Sequence, residues 1–455
     1  MLDTNVHIQA FISSFRWFGA GIYKVYSLLG RNPILNCTPD ILFFIITFAL
    51  LAVCLTYTII KKLEDKTFLT YLVIDISIII SIFNVWFCNI LSFPECVFLT
   101  TIGLICCFCA IILFSTGTHF YHYIIVSILL TLAGGVYQQY IFIFTIFVIV
   151  ITKLDVIAND IISFKELVKA YSKPAIISVV SGSVCIIIGK IIQNIFDVEK
   201  NGRVLTSIND IFSNVVYYIE RQHSFLKGRG FFSTELLTIS FIAVAVIWFI
   251  SFVVNLKKKQ HILQTVIVGL SFAFAYVCSY LPGIMANSHA MRTICALFAI
   301  FSLFVVGTLA VNKNKFIKIP LLIILVAVFV GNAYNSVNCQ LRLQEQNVVD
   351  KEWVLSFADK IEEYEAENNI EVETVCYCYD SETDLKVDGM ANASTAFSAR
   401  YSTIAIIEYF SEREFVFVEM TDENKILVFG NNEWEEFNAQ EQIIFENSTA
   451  FVCFY

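Results

Sequence analysis

Charged residues are scarce in this chain of 455 residues. Asp, Glu, Lys and Arg together make up 15% of it, against about 25% in an ordinary soluble domain. Hydrophobic residues make up 57%, and 43 residues are Phe. This composition excludes a soluble enzyme, a disordered protein and a nucleic-acid-binding protein with a basic face.

Several recognisable motifs are also missing from the sequence. It contains no usual signal peptide, Walker A loop, zinc-ligand spacing or GxSxG motif. No internal repeat is visible, and the apolar runs contain few charges. Both observations count against a transporter, because many transporters have inverted repeats and charged groups near the middle of the membrane. Chemistry is therefore expected from polar groups that lie outside the apolar runs.

The charges that are present divide the chain into two parts. Residues 350–455 carry 24 acidic and 6 basic side chains, whereas residues 1–349 carry 15 acidic and 24 basic ones. We therefore predict an α-helical polytopic membrane protein with a small acidic α/β domain at its C-terminus. The expected parts are an amphipathic outer segment (1–40), a transmembrane helical domain (41–335) and the tail domain (336–455).

Apolar runs of about 20 residues, the length that a spanning helix needs, occur throughout the first part. Residues 121–151 are too many for one such helix and too few for two ordinary ones, with Gly134 and Gly135 followed by a Tyr-Gln-Gln-Tyr sequence in their middle. We predict two short helices there and about ten spans in all. The other predicted spans are residues 41–60, 68–90, 97–114, 174–193, 235–255, 262–281, 293–311 and 319–334.

Lysine and arginine are distributed differently around these runs. Four clusters hold 13 Lys and no Arg, and positive charge is retained on the cytoplasmic side, so these clusters are predicted to lie inside. All seven Arg before residue 350 then fall on or near the outer face. Chance and codon bias are one explanation. The other is an outer site for a phosphorylated, membrane-held substrate, because the planar guanidinium suits phosphate. The clusters are Lys61/Lys62/Lys66, Lys153/Lys165/Lys169/Lys173, Lys257/Lys258/Lys259 and Lys313/Lys315/Lys318.

The outer loops contain carboxylates, arginines, aromatic rings and amides. A carboxylate can accept the proton of an attacking hydroxyl, and arginines can stabilise a leaving phosphate. For each single residue, however, an ordinary aromatic membrane interface is the better explanation. The loops are residues 1–40, 92–95, 137–140, 194–232 and 282–292.

Taken in order, four short segments resemble the glucosyl transferase GtrII family. They are Gly-Arg-Asn-Pro at 30–33, Ser-Phe-Pro-Glu at 92–95, Leu-Ala-Gly-Gly-Val-Tyr-Gln-Gln at 132–139 and Ala-Met-Arg at 290–292. The Tyr-Gln pair is the most specific of these motifs. The resemblance implies a GT-C-like enzyme of the bacterial cell membrane that takes glucose, or a related hexose, from a polyprenyl-phosphate carrier on the outer face.

Further expectations follow from the resemblance alone. The acceptor would be a surface polysaccharide such as an O-antigen, and the partners would be the lipid-linked donor, the glycan acceptor and membrane lipids, with a donor synthase and a donor flippase in support. No nucleic acid is involved. No cofactor is implied, although some GT-C enzymes use a divalent metal. The orientation predicted from the lysine clusters, rather than the resemblance, places the tail domain outside the cytoplasm, where it would cover the outer face, bind the acceptor or serve as a structural lid.

The general base is where this sequence departs from the family. Family members usually begin with a spanning helix and a loop that opens with two adjacent acidic residues, whereas only Asp3 stands near that position here. Either the start is truncated, or the role has moved to Asp3, Asp40 or Glu95. We predict Asp3 as the general base, with Glu95 as the second choice.

The other predicted site residues are cationic or sugar-binding. Arg292 is the first candidate for the carrier phosphate, followed by Arg31 and Arg221. Tyr137 and Gln138 are candidates for contact with the sugar, the alternative being that they cap a helix break.

The tail is expected to contain helices at 346–368 and 396–410 and strands at 372–379, 414–419, 425–429 and 450–454. Other functions stay open at this stage. A polysaccharide polymerase or ligase would transfer a preassembled oligosaccharide, a flippase or transporter would move the lipid without transfer, and a membrane scaffold would do neither.

Overall fold

Long apolar helices account for most of the chain, which divides into two units, residues 1–336 and 337–455. The computed structural model describes residues 4–454 with gaps. The gaps are residues 32–35, 85–86, 88–89, 91–92, 118, 160, 162, 199–207, 227–234, 257–261, 286–290, 313, 380–396, 398–399, 431, 433 and 435–436.

The first unit is helical throughout its described residues. A 3₁₀ segment (Met291–Phe298) precedes α13, and α14 contributes residues to both units. In chain order the helices are α1 (Thr4–Ser13), α2 (Trp17–Leu28), α3 (Cys37–Lys61), α4 (Phe68–Ile82), α5 (Pro94–Thr116), α6 (Phe120–Val136), α7 (Gln139–Ala158), α8 (Phe164–Ile195), α9 (Ile208–Glu220), α10 (Gln222–Leu226), α11 (Leu236–Leu256), α12 (Ile262–Ile284), α13 (Ala299–Leu309) and α14 (Lys315–Asn368).

Seven of the described helices are long and apolar enough to cross a membrane, namely α3, α5, α7, α8, α11, α12 and α14. Three shorter apolar helices, at Phe68–Ile82, Phe120–Val136 and Thr293–Leu309, stand where further spans were predicted. The prediction of a helical membrane protein with a small C-terminal sheet is confirmed, whereas the number of ten spans stays a prediction.

The long apolar run of residues 121–151 forms two helices, as its length suggested. Helix α6 ends at Val136, Tyr137 has extended backbone angles (φ −154°, ψ 120°), and α7 begins at Gln139. Helix α8 begins at Phe164, ten residues before the predicted span 174–193, and contains Pro174 in its interior.

Polar contacts at one end of the bundle join segments that carry lysines. Lys62 Nζ lies 2.5 Å from Asp155 Oδ1, and Lys318 forms an ion pair with Asp65. We call this the lysine end. Lys153, which was grouped with these lysines, is instead buried inside the bundle and donates a hydrogen bond to the Gly307 carbonyl (2.7 Å).

At the opposite end, the turn between α1 and α2 docks onto α6 and α8. Gln138 Nε2 donates to the carbonyls of Ser14 (3.2 Å) and Phe15 (3.3 Å). Gln193 Nε2 donates to those of Ile12 and Ser13, both at 3.1 Å. The last carbonyls of a helix have no partner within it, and these two amides provide one. We call this the arginine end, because Arg16 and Arg31 flank α2.

Two glycines allow the α1–α2 turn to pack closely against α6 and α8. Phe15 has a left-handed backbone (φ 59°), and its ring packs so tightly on Gly189 that a Cβ there would lie 2.5 Å from Phe15 Cδ1. A Cβ at Gly135 would lie 2.7 Å from Trp17 Cε2. Gly135, in the Gly-Gly sequence before the helix break, therefore has a packing role, because its missing side chain leaves room for the Trp17 ring.

The second unit contains a four-stranded sheet of order β2-β1-β4-β3, in which β1 is parallel to β2 and β4, and β3 is antiparallel to β4. Its core joins Phe357 of α14 to Tyr377 and Val452 of the sheet. The remaining elements are β1 (Thr374–Tyr379), α15 (Arg400–Ser411), β2 (Val416–Glu419), α16 (Asp422–Phe429), β3 (Ile443–Glu446) and β4 (Thr449–Phe454).

One predicted strand in the tail is wrong. Residues 425–429 belong to α16, because Thr421 caps this helix by accepting a hydrogen bond from the Asn424 backbone N–H (3.3 Å). The strand at Ile443–Glu446 was not predicted; it pairs with β4 across a tight turn at Asn447.

Replacing Gly189 by Ala tests the docking of the α1–α2 turn. The added Cβ forces the Phe15 ring to move, which should lower the free energy of unfolding in detergent by about 1–3 kcal/mol. Gly182→Ala on the same helix is the matched control, since its Cβ would meet only Ile141 Cδ1 at 3.9 Å. Thermal unfolding measures both variants; equal stability of the two would contradict the close approach.

Candidate functional site

The helix break at Tyr137 and the α1–α2 turn bring an arginine to an aromatic ring. The guanidinium carbon of Arg16 lies 4.8 Å from the centroid of the Tyr137 ring. The Tyr137 side chain is buried, and Arg16 Nε is buried without a hydrogen-bond partner among the described residues. One N–H group of Arg16 is therefore available as a donor beside the break.

Gln138 has a structural function at this position. Its amide nitrogen donates hydrogen bonds to two carbonyls of the α1–α2 turn. This arrangement supports the alternative in which the Tyr-Gln pair fixes a helix break, and contact of Tyr137 and Gln138 with a sugar stays a prediction.

Arg31 and Asp40 form a second polar group at the same end. Arg31 Nη1 lies 3.5 Å from Asp40 Oδ1, with the Arg31 side chain 48% exposed and that of Asp40 3% exposed. Tyr26 donates a hydrogen bond to Asp40 Oδ2 (2.6 Å). Burial and this hydrogen bond to the carboxylate raise the pKa of Tyr26 above its ordinary value, so the phenol remains a donor at physiological pH. Asp40 thus accepts a hydrogen bond from Tyr26 and forms an ion pair with Arg31, which joins α2 to α3 and disfavours Asp40 as a general base.

Arg221 lies in a separate aromatic group on α9 and α10. Its guanidinium carbon is 4.1 Å from the centroid of the Tyr217 ring. The neighbouring Gln222 Oε1 accepts hydrogen bonds from Tyr276 (2.6 Å) and Tyr280 (3.0 Å) near the end of α12. These contacts hold α10 on α12 and leave the exposed Arg221 side chain at the surface of the arginine end.

The remaining predicted residues are located only by their backbone or not at all. Arg292 is the second residue of the 3₁₀ segment, which packs against α4, α7, α12 and α13. Glu95 is the second residue of α5. The side chains of Arg292 and Glu95 lie outside the described part of the chain, as does Asp3 altogether, so their roles stay predictions.

Arg16 is the residue that sequence reasoning did not single out. It was one of two arginines in the first loop, and its sequence neighbours gave no reason to prefer it. Two sequence features would have had to be considered together to find it. Arg16 separates two short amphipathic segments, and Tyr137 interrupts an apolar run. Packing of one turn on the other brings the two residues together.

The arrangement is suited to a phosphate and a sugar at a membrane surface. Guanidinium groups bind phosphate oxygens through charge-assisted hydrogen bonds, and aromatic rings and amides stand beside them. Within the described residues, no three His, Cys, Asp or Glu side chains come together as metal ligands.

A family model described as glucosyl transferase GtrII matches residues 2–330, which include nearly all of the first unit and none of the acidic tail. The resemblance drawn from the short motifs is thereby confirmed. No curated protein and no solved structure matches the chain. The roles of single residues therefore rest on the geometry of this chain.

Replacing Tyr26 by Phe tests the Asp40 group. The buried carboxylate loses the donor to Oδ2, which should lower the free energy of unfolding by about 1–3 kcal/mol. Tyr57→Phe is the control, because Tyr57 lies on the same helix as Asp40 and is 53% exposed. Denaturation in detergent measures both, and a Tyr26→Phe variant as stable as the control would show that the hydrogen bond contributes nothing.

Proposed function

The chain belongs to the glucosyl transferase GtrII family, and we propose that it transfers glucose, or a related hexose, from a polyprenyl-phosphate carrier to a surface polysaccharide. Glucosyl transfer by a membrane protein follows from the family match and the apolar helices. The lipid carrier, the polysaccharide acceptor, a GT-C-like mechanism and a reaction on the outer face of a bacterial membrane are the proposed parts.

Arg16 is the observation that carries this proposal. Its buried, unpartnered Nε–H lies beside Tyr137 at the end of the bundle, where the headgroup of a membrane-held substrate would be. When the bond between the hexose C1 and the phosphate oxygen breaks, negative charge develops on the phosphate. Guanidinium groups already in place stabilise that charge without reorganisation. We propose Arg16 and Arg292 for this role, with Arg31 and Arg221 nearer the surface.

The acceptor needs a base as the new glycosidic bond forms. A hydroxyl oxygen of the polysaccharide attacks C1, its proton passes to a carboxylate, and the carrier phosphate leaves with the bonding electrons. Asp3 and Glu95 are the proposed carboxylates. Asp40 is disfavoured because Tyr26 and Arg31 already bind both of its oxygens.

The distribution of charge supports an outer location for the reaction. Three segments with lysines meet through ion pairs at the lysine end, and lysine-rich ends are retained in the cytoplasm. The arginine end would then face outward. We propose that the acidic tail lies on that side too and assists in binding the acceptor.

Substitution of the arginines tests the chemistry. In membranes supplied with radiolabelled polyprenyl-phosphate glucose and an acceptor glycan, Arg16→Ala and Arg292→Ala should each lower kcat by about 100-fold, because each removes a group that stabilises the developing charge. Lys at either position should restore part of the rate, since it keeps the charge but not the planar fork. Lys165→Ala, an exposed change on α8 among the lysine clusters, is the control and should leave the rate unchanged.

The same assay separates the other functions. Loss of transfer in Asp3→Asn or Glu95→Gln at normal expression identifies the base. Movement of the labelled lipid across the membrane without transfer would favour a flippase, and transfer only from a diphosphate-linked oligosaccharide would favour a polymerase or ligase. Full activity in both arginine-to-alanine variants would refute the proposed site.

A fusion at the C-terminus tests the orientation. We expect alkaline phosphatase attached after residue 455 to be active and a fluorescent protein at the same place to be dark, because the first matures only outside the cytoplasm and the second only inside it. The same pair of fusions after Lys62 should give the reverse result. A fluorescent C-terminal fusion would place the tail in the cytoplasm and contradict the proposed face.

A further inference from the structure

Two amide side chains in the described part of the chain are buried with both of their polar atoms unpartnered. Gln139 is 2% exposed and Asn332 is 1% exposed, and neither the amide nitrogen nor the amide oxygen of either residue has a hydrogen-bond partner. An unpaired buried amide destabilises a fold. Two such residues among apolar helices therefore suggest a ligand that supplies the missing hydrogen bonds.

The two neighbouring glutamines at the helix break have different surroundings. Gln138 is held by the α1–α2 turn. Gln139 lies fourteen residues before Lys153 on α7, a spacing that places the two residues on nearly the same face of the helix. Lys153 contacts Gly307 of α13 and the Phe272 ring of α12 (5.0 Å). The face of α7 that carries Gln139 is thus directed toward α12 and α13.

At the arginine end, this face meets the segment that carries Arg292. Gly307 is near the last residue of α13, whereas the 3₁₀ segment Met291–Phe298 directly precedes the first residue of α13. The 3₁₀ segment also packs against α7. Gln139, the first residue of α7, therefore lies on the face of α7 that is directed toward the proposed phosphate-binding segment.

Asn332 lies toward the same end of the bundle as Gln139. It ends a buried stripe on α14 that begins at Lys318, which is paired with Asp65 at the lysine end. Fourteen residues separate Lys318 from Asn332, as fourteen separate Lys153 from Gln139, and each interval corresponds to about 21 Å of helix. The stripe consists of Lys318, Leu321, Leu325, Val328 and Asn332.

We propose that Gln139, together with Asn332 toward the same end of the bundle, binds the hydroxyl groups of the donor hexose while the phosphate lies toward Arg292. The inference rests on the proposed function and moves the sugar contact from Gln138 to Gln139. An amide oxygen accepts a hydrogen bond and an amide nitrogen donates two. One amide can therefore pair with two adjacent sugar hydroxyls, and a site of this kind discriminates against hexoses that lack one of them.

Gln139→Met is the decisive variant, because methionine has a similar length and no polar group to leave unpaired. We expect its melting temperature in detergent to equal or exceed that of the wild type, and kcat/KM for polyprenyl-phosphate glucose to fall at least about tenfold. We expect this donor to raise the melting temperature of the wild type, and the rise should be lost in Gln139→Met. Discrimination between the glucose and the 2-deoxyglucose donors should decrease as well.

Gln138→Met is the matched control for stability. It removes the amide that binds the α1–α2 turn, so its melting temperature should fall, in contrast to that of Gln139→Met. Asn332→Leu provides a second test, and it should behave as Gln139→Met does.

The outcomes separate the inference from the function on which it rests. If wild-type membranes transfer no hexose from any polyprenyl phosphate, the proposed function fails and the inference fails with it. If the wild type transfers glucose and Gln139→Met transfers it equally well, or melts at a lower temperature without a change in KM for the donor, only the inference is overturned.

Discussion

A polar group buried among apolar helices must find a hydrogen-bond partner within the protein, and the arrangement of the first unit depends on this constraint. In hydrocarbon an unsatisfied backbone or side-chain group is costly because no water can replace the partner. Gln138 and Gln193 illustrate the result, since each donates to two carbonyls at the end of α1. Those four hydrogen bonds attach a short amphipathic segment to a bundle whose other contacts are apolar. The attachment in turn brings Arg16 to Tyr137, and with it the candidate site.

Much of the fold could be predicted from the sequence because the signals were local. Span positions follow from runs of apolar residues, and the division of residues 121–151 follows from their number. Local signals also explain the errors. The predicted span 174–193 is only the later part of α8, because an apolar run does not reveal the polar turns that precede it in the same helix. Residues 425–429 have the apolar pattern of a strand but follow a capping Thr421, which favours a helix.

The candidate site was less accessible to sequence reasoning, since its contacts join distant segments. The separation of lysine from arginine drew attention to one end of the bundle, yet it could not rank the arginines there. Arg16 is 121 residues from Tyr137 in the chain. The two are brought together by the hydrogen bonds of Gln138 and Gln193 and by the packing of the α1–α2 turn on Gly189 and Gly135. The Tyr-Gln motif likewise could not reveal the function of its amide, which depends on the carbonyls of the distant α1–α2 turn.

Lys153 has a further consequence for how the bundle is assembled. Spanning helices are first inserted separately and then associate within the bilayer. During insertion this ammonium group would belong to the flanking charge that sets the direction of α7, as the proposed orientation requires. After association it is enclosed and attached to the Gly307 carbonyl. Lys153 would then act at two successive steps in the maturation of the protein. It would serve as a topogenic signal while the helices are separate, and it would hold α7 to α13 by a hydrogen bond once they have packed.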